Sequence, residues 1–412
     1  MSEATIHQGV ELLLTGARVI DPANNIDGPA GVALGGGKVI AVGPNLQVAP
    51  GAKTIDLKGK IVTPGIIDMH VHAFDRHANS RLSLNPIVNT FSAGVTTVVD
   101  AGTSGWRDFA QFKEEIIDTA KIRVLSFVNI VAMGMLGPWE HEKKQFRPKP
   151  AAAIAEEFKD VVVGIKTAHY WAGRPFDAEH EPWMAVDAAL EAGELCGMPI
   201  MVDFFPWLPE RPYPTLILEK MRKGDIHTHV FAQQFPIIND EGKVYDHMWK
   251  ARERGVIFDV GHGAGGVAGR LWFRNAVPAI EQGFIPDSIS TDLPTGNVYG
   301  AVVDMLTTMN KIHNLGVPLP QVIEMSTVAP AREINHPELG TLSPGSDADV
   351  AVFTLNEGDF SYIDCSRFRF DGTSKLTCDM TIRAGEIVYN PSGIGQPDWT
   401  TDPGIQNRPK DY

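Results

Sequence analysis

Only three cysteines, Cys196, Cys365 and Cys378, occur in 412 residues. Their odd number and wide spacing give no disulfide framework and no CxxC metal pair, so a reducing cytoplasm is the expected compartment. No apolar run approaches the ~18 residues that a membrane helix needs. Residues 1–7 lack both a basic start and an apolar core, so no signal peptide is expected there. Positive charge is also scarce. Lys and Arg number 36 against 50 Asp and Glu, a net charge of −14, which argues against nucleic acid or an anionic membrane as partner. There is no GxSxG elbow, no phosphate-cradling glycine loop, no internal repeat and no low-complexity tract. The remaining partner class is a small molecule, handled by a chain expected to form a homo-oligomer.

What is present is an ordinary globular composition, 43% hydrophobic and 21% charged. The length suits one barrel of roughly 250 residues with a small accessory domain. Residues 11–57 read as short strands (11–15, 31–34, 38–42 and 53–56) broken by turns at Asp21-Pro22, Asn24-Asn25 and Gly35-Gly36-Gly37. The same texture returns at 348–354, 380–383 and 386–388, so one β-sandwich built from both chain ends is expected. The middle alternates β-branched runs with amphipathic stretches, the pattern of βα units. Candidate strands are 66–72, 96–100, 123–129, 161–166, 199–203, 226–231, 256–260 and 288–292. Candidate helices are 108–120, 151–159, 182–196, 215–222, 245–254 and 301–314. These predict an α/β fold, a (β/α)8 TIM-type barrel with a small β-sandwich. The expected boundaries are 1–62 and 337–412 for the sandwich, the latter with an extended tail after Pro391, and 63–336 for the barrel.

Ligand-type side chains fall at the ends of those strands, where a barrel of this kind keeps its active site. The first ends in Pro64-Gly65-Ile66-Ile67-Asp68-Met69-His70-Val71-His72. Residues i and i+2 of a strand share a face, so two imidazoles can grip one ion, and neutral imidazole suits zinc. The fourth strand closes an apolar run with Lys166, the fifth ends with Asp203, and the sixth carries His227-Thr228-His229. The seventh leads into Gly261-His262-Gly263, and the eighth ends in Thr291-Asp292.

This set resembles the amidohydrolase superfamily, and within it the dihydroorotase-like amidohydrolases and deacetylases. The resemblance rests on the PGIIDMHVH run, Val163-Gly164-Ile165-Lys166, Asp225-Ile226-His227-Thr228-His229, Phe258-Asp259-Val260-Gly261-His262-Gly263 and Ser290-Thr291-Asp292-Leu293. The late Gly345-Ser346-Asp347-Ala348-Asp349 turn extends it toward the C-terminus. It implies two divalent ions, zinc first and manganese as the other choice, with a CO2-derived carbamate on Lys166 bridging them. His70, His72 and Asp292 are then ligands of the more buried ion and His229 of the second. A structural salt bridge is the other reading of Lys166. His227 ranks below His229 and is read either as a substrate contact or as a satisfied strand histidine. His262 is read as a substrate contact or a structural loop histidine.

Two positions depart from the family pattern. Asp203 stands where a metal-binding histidine is usual, and Pro294 where a histidine two residues after Asp292 is expected. The loop after His262 is glycine-rich and longer. Retuned specificity, an engineered site and impaired chemistry all remain open. Asp203 can meet the second metal, which a carboxylate would shift toward harder ions. It can instead meet an arginine such as Arg211, or a proton.

The implied chemistry is attack of a metal-activated water on an amide or ester carbon, with Asp292 carrying the proton. Arg76, Arg107, Arg174, Arg211, Arg270 and Arg274 sit in loops among aromatics that include Tyr170. Guanidinium matches carboxylate geometry, so an N-acyl amino acid or O-acyl hydroxy acid is the expected substrate, contacted by Arg174, Tyr170 and Arg211. A cyclic amidase of the dihydroorotase or hydantoinase kind uses the same metals. A one-metal deaminase would not use Lys166, and a scaffold relative would need none of these groups.

Overall fold

Valine-containing strands such as Val95–Gly105 and Val162–Thr167 are buried along their whole length. Strands of a parallel sheet covered on both faces read this way. The computed structural model describes residues 6–75, 83–135, 142–168, 176–206, 209–263, 270–294, 298 and 300–402. Within them one parallel sheet runs in chain order through β1 (Ile66–Val71), β2 (Val95–Gly105), β3 (Arg123–Asn129) and β4 (Val162–Thr167). It continues through β5 (Ile200–Val202), β6 (Ile226–His227) and β7 (Ile257–Phe258). The sheet curls until segment 288–293 meets both edges: Ser288 bridges Asp259 and Leu293 bridges Val71, both in parallel.

That segment is not the regular eighth strand the sequence predicts. Asp292 takes a φ of 50°, outside extended backbone. Ser290 and Thr291 give their hydroxyls to Asp259 and Asp68, at 2.6 Å each. Strands β6 and β7 are shorter than expected, and positive φ at His229 (61°) and Gly261 (45°) turns the chain soon after each. Inside the curl, Ile67, Met69, Val99, Phe127, Met201 and Ile226 pack into one apolar plug. The ligand-type residues follow this plug at the carboxyl ends of the strands.

Helices Pro148–Glu157, Met184–Cys196, Asp246–Glu253 and Met305–Asn314 flank the sheet close to where the periodicity predicts them. The expected helix 108–120 is a short Phe109–Phe112 turn running into a wider-turned π-helical segment, Lys113–Ile117. Helix Phe273–Glu281 escaped the sequence reading because Pro278 lies inside it. Among the described residues no helix is long and apolar enough to cross a membrane.

Both chain ends do join one mixed sheet of eight strands. Val350–Ile363 pairs antiparallel with Ile61–Pro64, setting Val350 opposite Pro64 and Phe353 opposite Ile61. The partner strand Arg369–Arg383 is far longer than the predicted 380–383. Its polar middle gave no hydrophobic signal. It is held by the helix Met305–Asn314, where Asn310 donates to the Leu376 carbonyl at 3.0 Å and accepts from the Leu376 amide at 2.6 Å. The tail is described to Asp402 and contains a 3-10 turn, Trp399–Thr401.

Candidate metal centre

Three buried side chains converge where the strands end: His70 from β1, His229 just after β6, and Asp292 from the bent segment. One ligand atom of each lies within 4.8 Å of the others. His72 joins them, its Nε2 3.0 Å from Asp292 Oδ1, and His70 Nε2 is 3.4 Å from the same oxygen. Lys166 Nζ is 3.2 Å from His70 Nε2. Ligands held about 2.1 Å from a tetrahedral ion lie ~3.4 Å apart, so these spacings suit an ion among them.

Local backbone features place these groups. The pairing of β1 with β2 slips between Asp68 and Val71, a bulge of the kind that re-aims side chains beside active sites. Alternation along β6 would send Thr228 inward and His229 outward, but the positive φ of His229 turns both to the mouth. The expectation that His227 and His229 share a face is therefore corrected. His227 packs on the outer side against Phe235, Tyr213 and Phe258, with ring centroids 4.6, 5.4 and 5.8 Å away. Gly102, with φ of 81°, makes room for Lys166, whose Cβ would lie 2.7 Å from a Cβ added there.

Second partners fix how the imidazoles point. His70 Nδ1 faces Thr228 Oγ1 at 2.9 Å, and that hydroxyl donates to Asp259 Oδ2 at 2.8 Å. Thr228 must then accept from Nδ1–H, which leaves the Nε2 lone pair of His70 turned into the site. His72 Nδ1 faces Thr103 Oγ1 at 3.0 Å, and the Thr103 amide donates to buried Asp100 at 2.7 Å. His229 places its Nδ1 on the Gly261 carbonyl. Among the described residues its buried Nε2 has no hydrogen-bond partner. A carboxylate or carbonyl behind each ligating histidine is the usual arrangement at metal sites. An orphaned imidazole nitrogen aimed at Asp203 and Asp292 is what a cation would satisfy. The donor set therefore fits a divalent ion.

The electrostatics agree. Burial, reinforced by the Lys166 charge, pushes His70 well below its ordinary range and keeps it neutral. Burial likewise lowers Lys166, although Asp203 and Asp292 oppose it. Burial alone would raise Asp292. Its neighbours His70, His72, His229 and Arg270 reverse the effect and hold it well below the usual carboxylate range. It is an anion at neutral pH, as a metal ligand must be.

The other predicted residues are distributed differently. Asp203 accepts from Arg270 Nη1 at 2.9 Å, not from Arg211, and its Oδ2 lies 3.4 Å from His229 Nε2. Arg211 is buried away from the cluster, donating to the Phe205 carbonyl at 2.8 Å and stacked over Phe204 at 4.8 Å. His262 is buried, its Nδ1 3.0 Å from the Gly263 carbonyl oxygen and its Nε2 2.6 Å from Lys311 Nζ. Tyr170 and Arg174 lie outside the described residues. The supporting residues Thr103, Thr228, Asp100 and Asp259 were not singled out from the sequence. A hydroxyl between two histidines, as at His227-Thr228-His229, was the available signal. Lys311 was also missed. It interrupts the buried face made by Met305, Leu306, Met309 and Ile312, and that interruption was the clue.

Known proteins resemble this chain. Sequence models of the Amidohydrolase family match residues 53–121 and 273–388. A deacetylase of Enterococcus faecalis is 31% identical over 367 residues, covering 88% of this chain and 96% of its own. A deacetylase of Agrobacterium fabrum is 30% identical over 343 residues, covering 81% and 80%. Among solved structures, one described as an adenine deaminase superposes with a TM-score of 0.83 at 29% identity, covering 92% of this chain and 100% of its own. Another, described as a dihydroorotase, gives 0.78 at 27%, covering 92% and 99%. Identity at this level over most of both chains, together with the donor set at the strand ends, means that the chain belongs to the amidohydrolase family, as a hydrolase of carbon–nitrogen bonds.

Proposed function

We propose that the protein hydrolyses an amide or ester bond of a small anionic acyl compound, an N-acyl amino acid or an O-acyl hydroxy acid. The observation that carries this reading is the buried, oriented set His70, His72, His229 and Asp292 with Lys166 beside it. These residues would hold a divalent metal, zinc or manganese, which when bound polarises a carbonyl and makes water acidic. Lys166 is the site of the carbamate. Burial favours its neutral amine, the form that adds CO2 with loss of a proton. Asp292 accepts the proton of the attacking water and returns it to the departing nitrogen or oxygen, and the imidazole of His72 holds its carboxylate in place. Arg174 and Tyr170, the substrate contacts expected from the sequence, are the candidates for recognising its carboxylate. His262 and Arg211, each engaged by neighbouring residues, support the mouth in place of contacting substrate.

The same reading carries the eight-unit barrel over 63–336 and the sandwich from 1–62 and 337–412. It also carries a cytoplasmic homo-oligomer. Cyclic amide hydrolysis is the second reading, favoured by the similarity to a dihydroorotase structure.

One panel separates them. Metal-loaded protein is assayed against N-acyl amino acids, O-acyl hydroxy acids and lactones, and against dihydroorotate, hydantoins and adenine. Turnover of acyl compounds, abolished by chelation, is expected. Turnover confined to dihydroorotate or hydantoins would replace the proposal with the cyclic reading, and turnover confined to adenine with deamination. A protein that takes up no metal and turns over nothing would be a scaffold.

A further inference from the structure

We infer that Arg270 stands in the place of a second cation, so that the site holds one metal ion per chain. This inference rests on the metal-dependent reading above. The oxygen of Asp203 that faces His229 Nε2 at 3.4 Å is the one that accepts from Arg270 Nη1 at 2.9 Å. A second ion bridging Asp203 and His229 through that oxygen would compete for it with Arg270. Arg270 also reaches toward the shared carboxylate, its Nε 3.9 Å from Asp292 Oδ2. The approach depends on Gly263. A Cβ added there would lie 2.7 Å from Arg270 Cγ and 2.8 Å from Asp292 Oδ2.

Charge favours the same count. Guanidinium is a permanent cation. One dication with Arg270 balances the anions of Asp203, Asp292 and a carbamylated Lys166. A second dication would have to be offset by Asp100 and Asp259, carboxylates that lie behind the histidines, hydrogen-bonded to Thr103 and Thr228, and do not face the ligand atoms. The orphaned Nε2 of His229 then turns to the one ion shared with His70 and Asp292, the group whose ligand atoms already lie within 4.8 Å. Asp203 is thereby a positioning residue for Arg270 and no ligand.

The test is metal stoichiometry, with no substrate required. Full-length protein and the Arg270→Ala/Asp203→His variant are saturated with Mn(II), freed of excess metal, and measured by elemental analysis and electron paramagnetic resonance. The parent is expected to carry one ion per chain with the signal of an isolated Mn(II). The double variant is expected to carry two, with a spin-coupled signal. If it does not fold by circular dichroism, Arg270→Ala alone is titrated, and a second binding event is expected. Two coupled ions in the parent overturn the inference, as does a folded variant that still takes one. A parent that binds no ion would instead remove the metal-dependent reading itself.

Discussion

The two sides of the strand-end mouth are built on opposite principles. On the β1 side, His70 and His72 each present Nε2 to the centre while a threonine backed by a buried aspartate occupies Nδ1. On the β5 side, Asp203 is tied to Arg270, and His227 lies outside the mouth with neither ring nitrogen hydrogen-bonded among the described residues. The first side offers lone pairs already aimed at an ion. The second balances charge internally at Asp203 and aims one lone pair, the Nε2 of His229. Metal affinity and proton transfer should therefore depend steeply on the β1 side and on Asp292, and weakly on His227.

Asp292 belongs to both sides, and its loss should produce the largest effect. Asp292→Asn keeps the shape but removes the proton acceptor. Turnover on the best substrate is expected to fall by about 10²–10⁴-fold, with circular dichroism unchanged. Unchanged turnover would show that another group carries the proton.

Thr228→Val tests the aimed lone pair without touching a ligand. It removes the hydroxyl joining His70 Nδ1 to Asp259, at nearly constant volume. Loss of such outer partners lowers metal affinity about 10- to 100-fold. Competition with a chelator reads the change. An affinity equal to that of the parent would mean that the Thr228 bridge does not organise His70.

Lys311 marks the boundary between the mouth and the helix behind it. Burial lowers it to about 7, against Asp364, Cys365 and Asp304, and it meets His262 at 2.6 Å. In the unfolded chain a lysine titrates near ~10.4. Between those values the unfolded state binds more protons, so the parent gains stability as pH rises. Relative to Lys311→Met, the parent should gain about 2 kcal/mol between pH 7.5 and 9.5, read by denaturant unfolding. A constant gap would place the folded titration of Lys311 elsewhere.

Much of the site was legible because its chemistry is local in sequence. His70 and His72 stand two residues apart at the end of one strand, Lys166 and Asp203 each close an apolar run, and Asp292 ends the Ser290-Thr291 step of the last βα unit. The alternating pattern also revealed the parallel sheet. What stayed hidden depends on backbone angles and on long-range partners. The inward turn of His229 comes from a φ of 61° and the bend at Asp292 from a φ of 50°, neither of which is written in residue type. The pairing of Asp203 with Arg270 spans 67 positions. The hairpin extension on Asn310 and Asn314 has no apolar periodicity to announce it.

The smallest effect is expected at His227. Sequence spacing put it on the same face as His229, though ranked below it, but the chain turns only after it, leaving its ring boxed by Tyr213, Phe235 and Phe258. Burial pushes it down to about 4, so it is neutral at pH 7. Two buried polar nitrogens with no side-chain hydrogen-bond partner among the described residues add little that an apolar group of similar size would lack, and replacing such groups is near neutral or stabilising. His227→Leu should keep metal content and hold turnover within about twofold, with a melting temperature equal to or above that of the parent. A loss of metal or a tenfold drop in turnover would mean that His227 reaches the mouth after all, and the contrast between the two sides would no longer hold at β6.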